Sequence, residues 1–129
     1  MDSYKVLLVD DEEDFVSTLA ERLGLRGIQA VFATEGEQAL RLLEAETPQV
    51  VLLDVMMPGL GGLEVLKRIK ARWTQLPVIL LTGHGAKKEG DEGMRMGAFA
   101  YLMKPVQIEE LILKIHEAIS GSIEPSAAR

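Results

Sequence analysis

The sequence predicts one α/β domain, a buried parallel sheet held between two layers of helices, and three observations predict it. Short apolar runs recur along the chain: Val6-Leu7-Leu8-Val9, Val50-Val51-Leu52-Leu53, Val78-Ile79-Leu80-Leu81 and Phe99-Ala100-Tyr101-Leu102-Met103. Such near-continuous runs suit strands covered on both faces. Amphipathic helical stretches lie between them, so the strands are joined by crossovers rather than hairpins. Five strands alternating with five helical segments give a three-layer sandwich with right-handed crossovers.

The first strand is expected over residues 5–10. The next helix carries Phe15, Val16, Leu19, Ala20 and Leu23 on one stripe, and Gly24 and Gly27 bracket its end. Residues 28–32 form the second strand. Thr34 then caps a helix, with Glu37 three residues on completing a capping box, and Ala39, Leu40 and Leu43 facing the core. Thr47-Pro48 ends that helix, and residues 50–54 make the third strand. Pro58-Gly59 and Gly61-Gly62 mark a tight loop before a helix that buries Leu63, Leu66, Ile69 and Trp73. Residues 76–82 and 99–103 are the last two strands. The final helix has the clearest period, Ile108, Leu111, Ile112, Ile115 and Ile119, with Gly121 as C-cap. Residues 121–129 read as a linker-like tail after a domain over 1–120.

Residues 86–97 are the weak segment. Element order requires a helix there, yet it holds Gly90, Gly93 and many charges. Each interior glycine costs about 1 kcal/mol against alanine. Two readings stand side by side: a low-stability switch element beside the functional edge, or a poorly packed surface helix.

The chain has 129 residues and net charge -6, with no cysteine. One core of this size needs no staple, and neither disulfides nor thiolate metal sites are available. An acidic domain is a poor ligand for nucleic acid, whose affinity rests on cationic contacts to phosphate. No basic segment leads into an apolar stretch, and no apolar run is long enough to span a bilayer. The expectation is a soluble cytoplasmic protein.

Asp10 and Asp11, Asp54, Thr82 and Lys104 stand where four different apolar runs stop. In open parallel sheets ligands bind beyond the carboxyl ends of the strands, so these groups should converge on one edge. Clustered carboxylates repel one another until a proton or cation relieves them. Magnesium suits oxygen ligands and is commonly held by one or two carboxylates plus phosphate. Asp54 can then serve as a nucleophile, with the Lys104 ammonium and the Thr82 hydroxyl as donors to phosphoryl oxygens. Taken singly, each has a plainer reading: an Asp after a strand is a turn former or helix cap, and Lys-Pro is a turn. It is the joint pattern that points to a site.

On these motifs the chain resembles the response-regulator receiver family of two-component signalling. The pieces are Val9-Asp10-Asp11-Glu12, Leu53-Asp54-Val55-Met56-Met57-Pro58-Gly59, Leu81-Thr82-Gly83-His84 and Gly97-Ala98-Phe99-Ala100-Tyr101-Leu102-Met103-Lys104-Pro105. The resemblance implies a flavodoxin-like, doubly wound sheet of order 2-1-3-4-5. It implies that Asp54 accepts a phosphoryl group from a phosphohistidine on a sensor kinase or a histidine phosphotransfer protein. Asp11, Asp54 and the Met56 backbone carbonyl would bind Mg2+ directly, and Asp10 through a water. Thr82 and Lys104 would contact the phosphoryl oxygens. Tyr101 matches the family's aromatic switch, although it reads equally as a half-buried strand aromatic. A cis Lys104-Pro105 bond is common in the family. His84 stands where residues tune phosphoryl lifetime, or is a solvated loop histidine; His116 is an exposed helix residue. Gly61 replaces the acid that many members carry, leaving the third helix with a weaker cap by a few tenths of a kcal/mol.

The output is expected to be an output domain, a partner or a second copy, with no turnover of substrate. Three rivals remain. A phosphatase or dehalogenase would need a carboxylate two residues after Asp54, where Met56 stands. A flavodoxin-like nucleotide binder would need a glycine-rich loop where Asp10-Asp11 stands. A degenerate receiver would act only as an interaction module.

Overall fold

The computed structural model describes residues 4–83 and 85–121. Strands and helices alternate along the chain: β1 (Lys5–Val9), α1 (Glu13–Leu25), β2 (Gln29–Ala33), α2 (Gly36–Ala45), β3 (Val50–Asp54), α3 (Gly62–Arg72), β4 (Val78–Thr82), α4 (Lys87–Arg95), β5 (Ala100–Met103) and α5 (Ile108–Gly121). The strands are parallel and ordered β2-β1-β3-β4-β5. The chain leaves β1 in one direction to form β2 and in the other to form β3, so the crevice at the topological switch point opens between β1 and β3.

Side chains alternate across the sheet, and the two faces make two cores. Val6, Leu8, Val50, Leu52, Ile79, Leu81 and Leu102 face α1 and α5, meeting Val16, Leu23, Leu111 and Ile115. Leu7, Val9, Val51, Leu53, Val78 and Leu80 face the other side, meeting Ala39, Leu43, Val65, Leu66 and Ile69. The central strands β3 and β4 are buried throughout, which is why they read as unbroken apolar runs. Among the described residues no helix is long and apolar enough to cross a membrane.

Three local expectations change. The Thr34–Glu37 capping box does not form. The helix begins at Gly36 with Glu35 at the N-cap, one residue beyond Thr34, and that cap makes no side-chain hydrogen bond. The Thr34 N–H is instead accepted by Gln38 Oε1 at 3.1 Å. Gly121 is itself helical, within α5 rather than a cap beyond it; the rest of the expected tail lies outside the described residues. Residues 87–95 do form a helix, and it is not poorly packed. Gly90 and Gly93 are buried against the sheet, where a Cβ on Gly93 would overlap Leu80 Cδ1. The two residues that weaken helix propensity are the ones that let α4 approach β4. Gly61 does occupy the N-cap of α3.

Candidate functional site

β1 and β3 end side by side, and the charge stands at those ends, Asp10 just past β1 and Asp54 the last residue of β3. Asp10 is 1% exposed and Asp54 4%, both on the sheet face that α1 and α5 cover. Asp11 follows on the exposed turn into α1. One carboxylate oxygen from each of Asp10, Asp11 and Asp54 lies within 4.8 Å of the others. Backbone donors orient the two buried acids. Asp10 Oδ1 accepts the Glu12 N–H at 2.9 Å, the turn-forming bond that its type favours. Asp54 Oδ1 accepts the Met56 N–H at 3.2 Å.

Lys104, just past β5, closes the edge. Its Nζ lies 2.7 Å from Asp10 Oδ2 and 3.0 Å from Glu12 Oε1, and stands 4.6 Å from the centroid of the Phe15 ring. The Asp10 contact is a charge pairing without hydrogen-bond alignment, so among the described residues the buried Oδ2 has no hydrogen-bond partner. The Lys104-Pro105 bond is cis. Thr82 ends β4 on the opposite sheet face. Its hydroxyl donates to the Leu102 carbonyl at 3.4 Å.

Electrostatics follow from this crowding. Burial, then the Asp10 charge, raise Asp54 to a pKa of about 7, with Asp11 adding to them; Lys104 and the Met56 N–H pull the other way. Burial works against the Lys104 ammonium, but the adjacent Asp10 and Glu12 carboxylates, with the charge of Asp54, outweigh it and raise its pKa. Among the described residues the pocket is thus an acidic cluster with Lys104 as its cation.

The loop after β3 positions this cluster. The Gly62 N–H donates to the Val55 carbonyl at 3.1 Å, turning the chain back onto the strand end. A Cβ on Gly62 would overlap the Asp54 carbonyl oxygen and sit 2.7 Å from Val55 Cα.

The chain matches the family described as response regulator receiver domain over residues 6–116. It belongs to that family.

Its relatives include the transcriptional regulatory protein CpxR of Escherichia coli K12, 40% identical over 92% of this chain and 50% of that protein. The DNA-binding transcriptional regulator NtrC of the same strain is 37% identical over 96% of this chain and 26% of that protein. The receiver domain thus spans about half, or a quarter, of the curated relatives it matches. Among solved structures, the receiver domain of NtrX from Brucella abortus superposes with a TM-score of 0.85 at 32% identity, covering 89% of this chain and 98% of that one. A CheY-like receiver domain protein from Methanospirillum hungatei JF-1 gives 0.89 at 25% identity, covering 97% and 100%. Membership sets aside the hydrolase and flavin-binding readings: receiver domains are switches of two-component signalling.

Tyr101 of the receiver packs on the α4 side of the sheet, as Thr82 does. Its ring lies where a Cβ on Gly90 would be 3.4 Å from it and 3.1 Å from Thr82 Cγ2. Its hydroxyl donates to Asp91 Oδ1 at 3.2 Å, and the other oxygen of that carboxylate accepts Lys87 Nζ at 2.9 Å. The Met56 side chain is exposed. His84 lies outside the described residues. His116 is exposed, with its ring edge-on to Tyr4 at 5.0 Å.

Sequence reasoning gave Glu12 no role of its own, and it missed Phe15 beyond its place in the core. Both sit within one turn of Asp11 and face Lys104, 92 residues from Glu12 along the chain; no local pattern encodes a pairing that only the sheet brings together.

Proposed function

We propose that this receiver is the phosphoacceptor of a His-Asp phosphorelay, with Asp54 as the acceptor. One observation carries the reading: the Asp10, Asp11 and Asp54 oxygens are gathered within 4.8 Å at the switch-point crevice. The donor set fits a hard divalent cation. It is all oxygen, and among the described residues the buried Asp10 Oδ2 has only its charge contact with Lys104 and no hydrogen-bond partner. Asp11, Asp54 and the Met56 carbonyl would hold Mg2+, with Asp10 acting through a water. When bound, Mg2+ supplies neutralisation of the phosphoryl oxygens and of the clustered acids.

Asp54 then attacks the phosphorus of a phosphohistidine on a kinase or phosphotransfer partner. An O–P bond forms and the N–P bond breaks, and the imidazole leaves with a proton from solvent. Lys104 neutralises charge on the transferred group. Thr82 exchanges the Leu102 carbonyl for a phosphoryl oxygen. That motion vacates the space beside Gly90 and draws Tyr101 inward from Asp91, so the α4 side of β4 and β5 changes for a partner, an output domain or a second copy. We assign this role to residues 1–120 and place it in the cytoplasm.

Asp54→Asn is expected to abolish covalent labelling by acetyl phosphate in the presence of Mg2+, measured by intact mass. A variant that still gains a phosphoryl group would show that the acceptor is elsewhere. Wild-type protein that never labels would favour the degenerate interaction module.

Asp11 tests the cation separately. It is exposed, so Asp11→Ala should change metal-free stability by no more than about 0.5 kcal/mol. The rise in melting temperature that Mg2+ gives the wild type should disappear in the variant. An undiminished rise would remove Asp11 from the ligand set.

A further inference from the structure

We propose that Glu12 is a positioning residue: it holds the Lys104 ammonium away from Asp54 in the resting protein, and so sets the affinity of the pocket for a phosphoryl group. This rests on the reading of Asp54 as acceptor and goes beyond it. Lys104 is the internal cation meant to meet the incoming group, yet its ion pairs are with Asp10 and Glu12 and not with Asp54. Phe15 supplies a third contact, its ring face beneath the ammonium. Asp10, Glu12 and Phe15 therefore form a resting cradle on the α1 side of the pocket.

The two carboxylates of the cradle differ in what release costs. The Asp10 side chain is 1% exposed, whereas that of Glu12 is 64% exposed. A buried carboxylate stripped of its cation is strongly destabilised, and in the charged pocket Asp10 is drawn to the divalent ion. Glu12 returns to water when Lys104 leaves, at little cost. Glu12 is thus the holder that competes with a phosphoryl group for Lys104 and still lets go. Removing its charge without changing its shape should leave Lys104 freer to turn to the phosphoryl oxygens.

Beryllofluoride, a stable phosphoryl mimic, provides the test, titrated into the protein at saturating Mg2+ and followed by 19F NMR. Glu12→Gln should bind it about two- to fivefold more tightly, the range that an exposed ion pair allows. Glu13 is a neighbouring exposed acid in the first turn of α1, so Glu13→Gln controls for the general field. It should leave the affinity unchanged. In a Lys104→Ala background, Glu12→Gln should have no effect. Equal tightening by Glu12→Gln and Glu13→Gln would overturn the proposal, as would unchanged affinity in Glu12→Gln or a gain that persists without Lys104. Both single variants alter exposed residues that fold without them, so their comparison decides even where Lys104→Ala is too unstable to measure. Wild-type protein that takes up no beryllofluoride would overturn the Asp54 reading and this one together, whereas uptake without a Glu12 effect overturns this one alone.

Discussion

Replacing Gly62 with alanine is expected to destabilise the protein by about 3 kcal/mol, the upper end of the usual cost of overpacking. The reason is what the new methyl meets. Its Cβ would overlap the carbonyl oxygen of Asp54 and lie 2.7 Å from both Cα and the carbonyl oxygen of Val55. These are backbone atoms of a central strand and its exit, bonded on the far side to β4 through the Val55 N–H and the Leu81 carbonyl at 3.0 Å. No rotamer change can relieve the overlap, so either α3 or the end of β3 must move. The adjacent glycine supplies the contrast. A Cβ on Gly61 meets nothing closer than the Met57 carbonyl oxygen at 3.8 Å, and its φ of -69 suits any residue. Gly61→Asp should gain a few tenths of a kcal/mol as a better helix cap. Urea denaturation of the two variants checks both signs. Gly62→Ala within about 1 kcal/mol of wild type would mean that the loop yields more easily than its packing implies.

Those neighbouring glycines show where the sequence could be read and where it could not. Runs such as Val50-Val51-Leu52-Leu53 announce a strand buried on both faces, because only a central parallel strand needs no polar side. The convergence of the candidate site was legible for the same reason: Asp10, Asp54 and Lys104 stand where those runs stop, and strand ends in a parallel sheet share an edge. Glycine is different. It weakens a helix by propensity yet permits close approach, and only tertiary structure decides which effect wins. In α4 close approach wins, since Gly93 abuts Leu80 and Gly90 leaves room for Thr82 and Tyr101. Gly61 and Gly62 look alike in sequence, although one caps a helix and the other seats it on the end of β3. The capping box failed for a matching reason. Its residue types were right, but α2 starts one residue too late for Thr34 to be the cap.

Removing the internal cation should reveal how far the acidic pocket depends on it. Lys104→Met keeps much of the aliphatic stem and deletes the charge that sits over Phe15 and faces Asp10, Glu12 and Asp54. Removing one partner of a fully buried pair costs about 3–5 kcal/mol. Here the cost should be lower, about 2 kcal/mol, because the Lys104 side chain keeps 18% exposure and Glu12 is well solvated. Proton uptake by Asp54, already held at a pKa of about 7, caps it further. The folded pKa of Lys104 is raised, so its contribution is complete below the unfolded value, near 10.5, and is lost only as pH rises through the folded one. At neutral pH Lys104 is therefore fully charged, and the titration that limits the cost there is that of Asp54. Mg2+ should then discriminate this electrostatic cost from lost packing. A divalent cation meets the same carboxylates with Asp10 Oδ2 no longer facing the ammonium, so the thermal stabilisation by Mg2+ should be larger in Lys104→Met than in wild type. A packing defect would persist unchanged in Mg2+. A variant as stable as wild type in chelator, or one whose response to Mg2+ is no greater, would show that Lys104 does not carry the charge balance of the pocket.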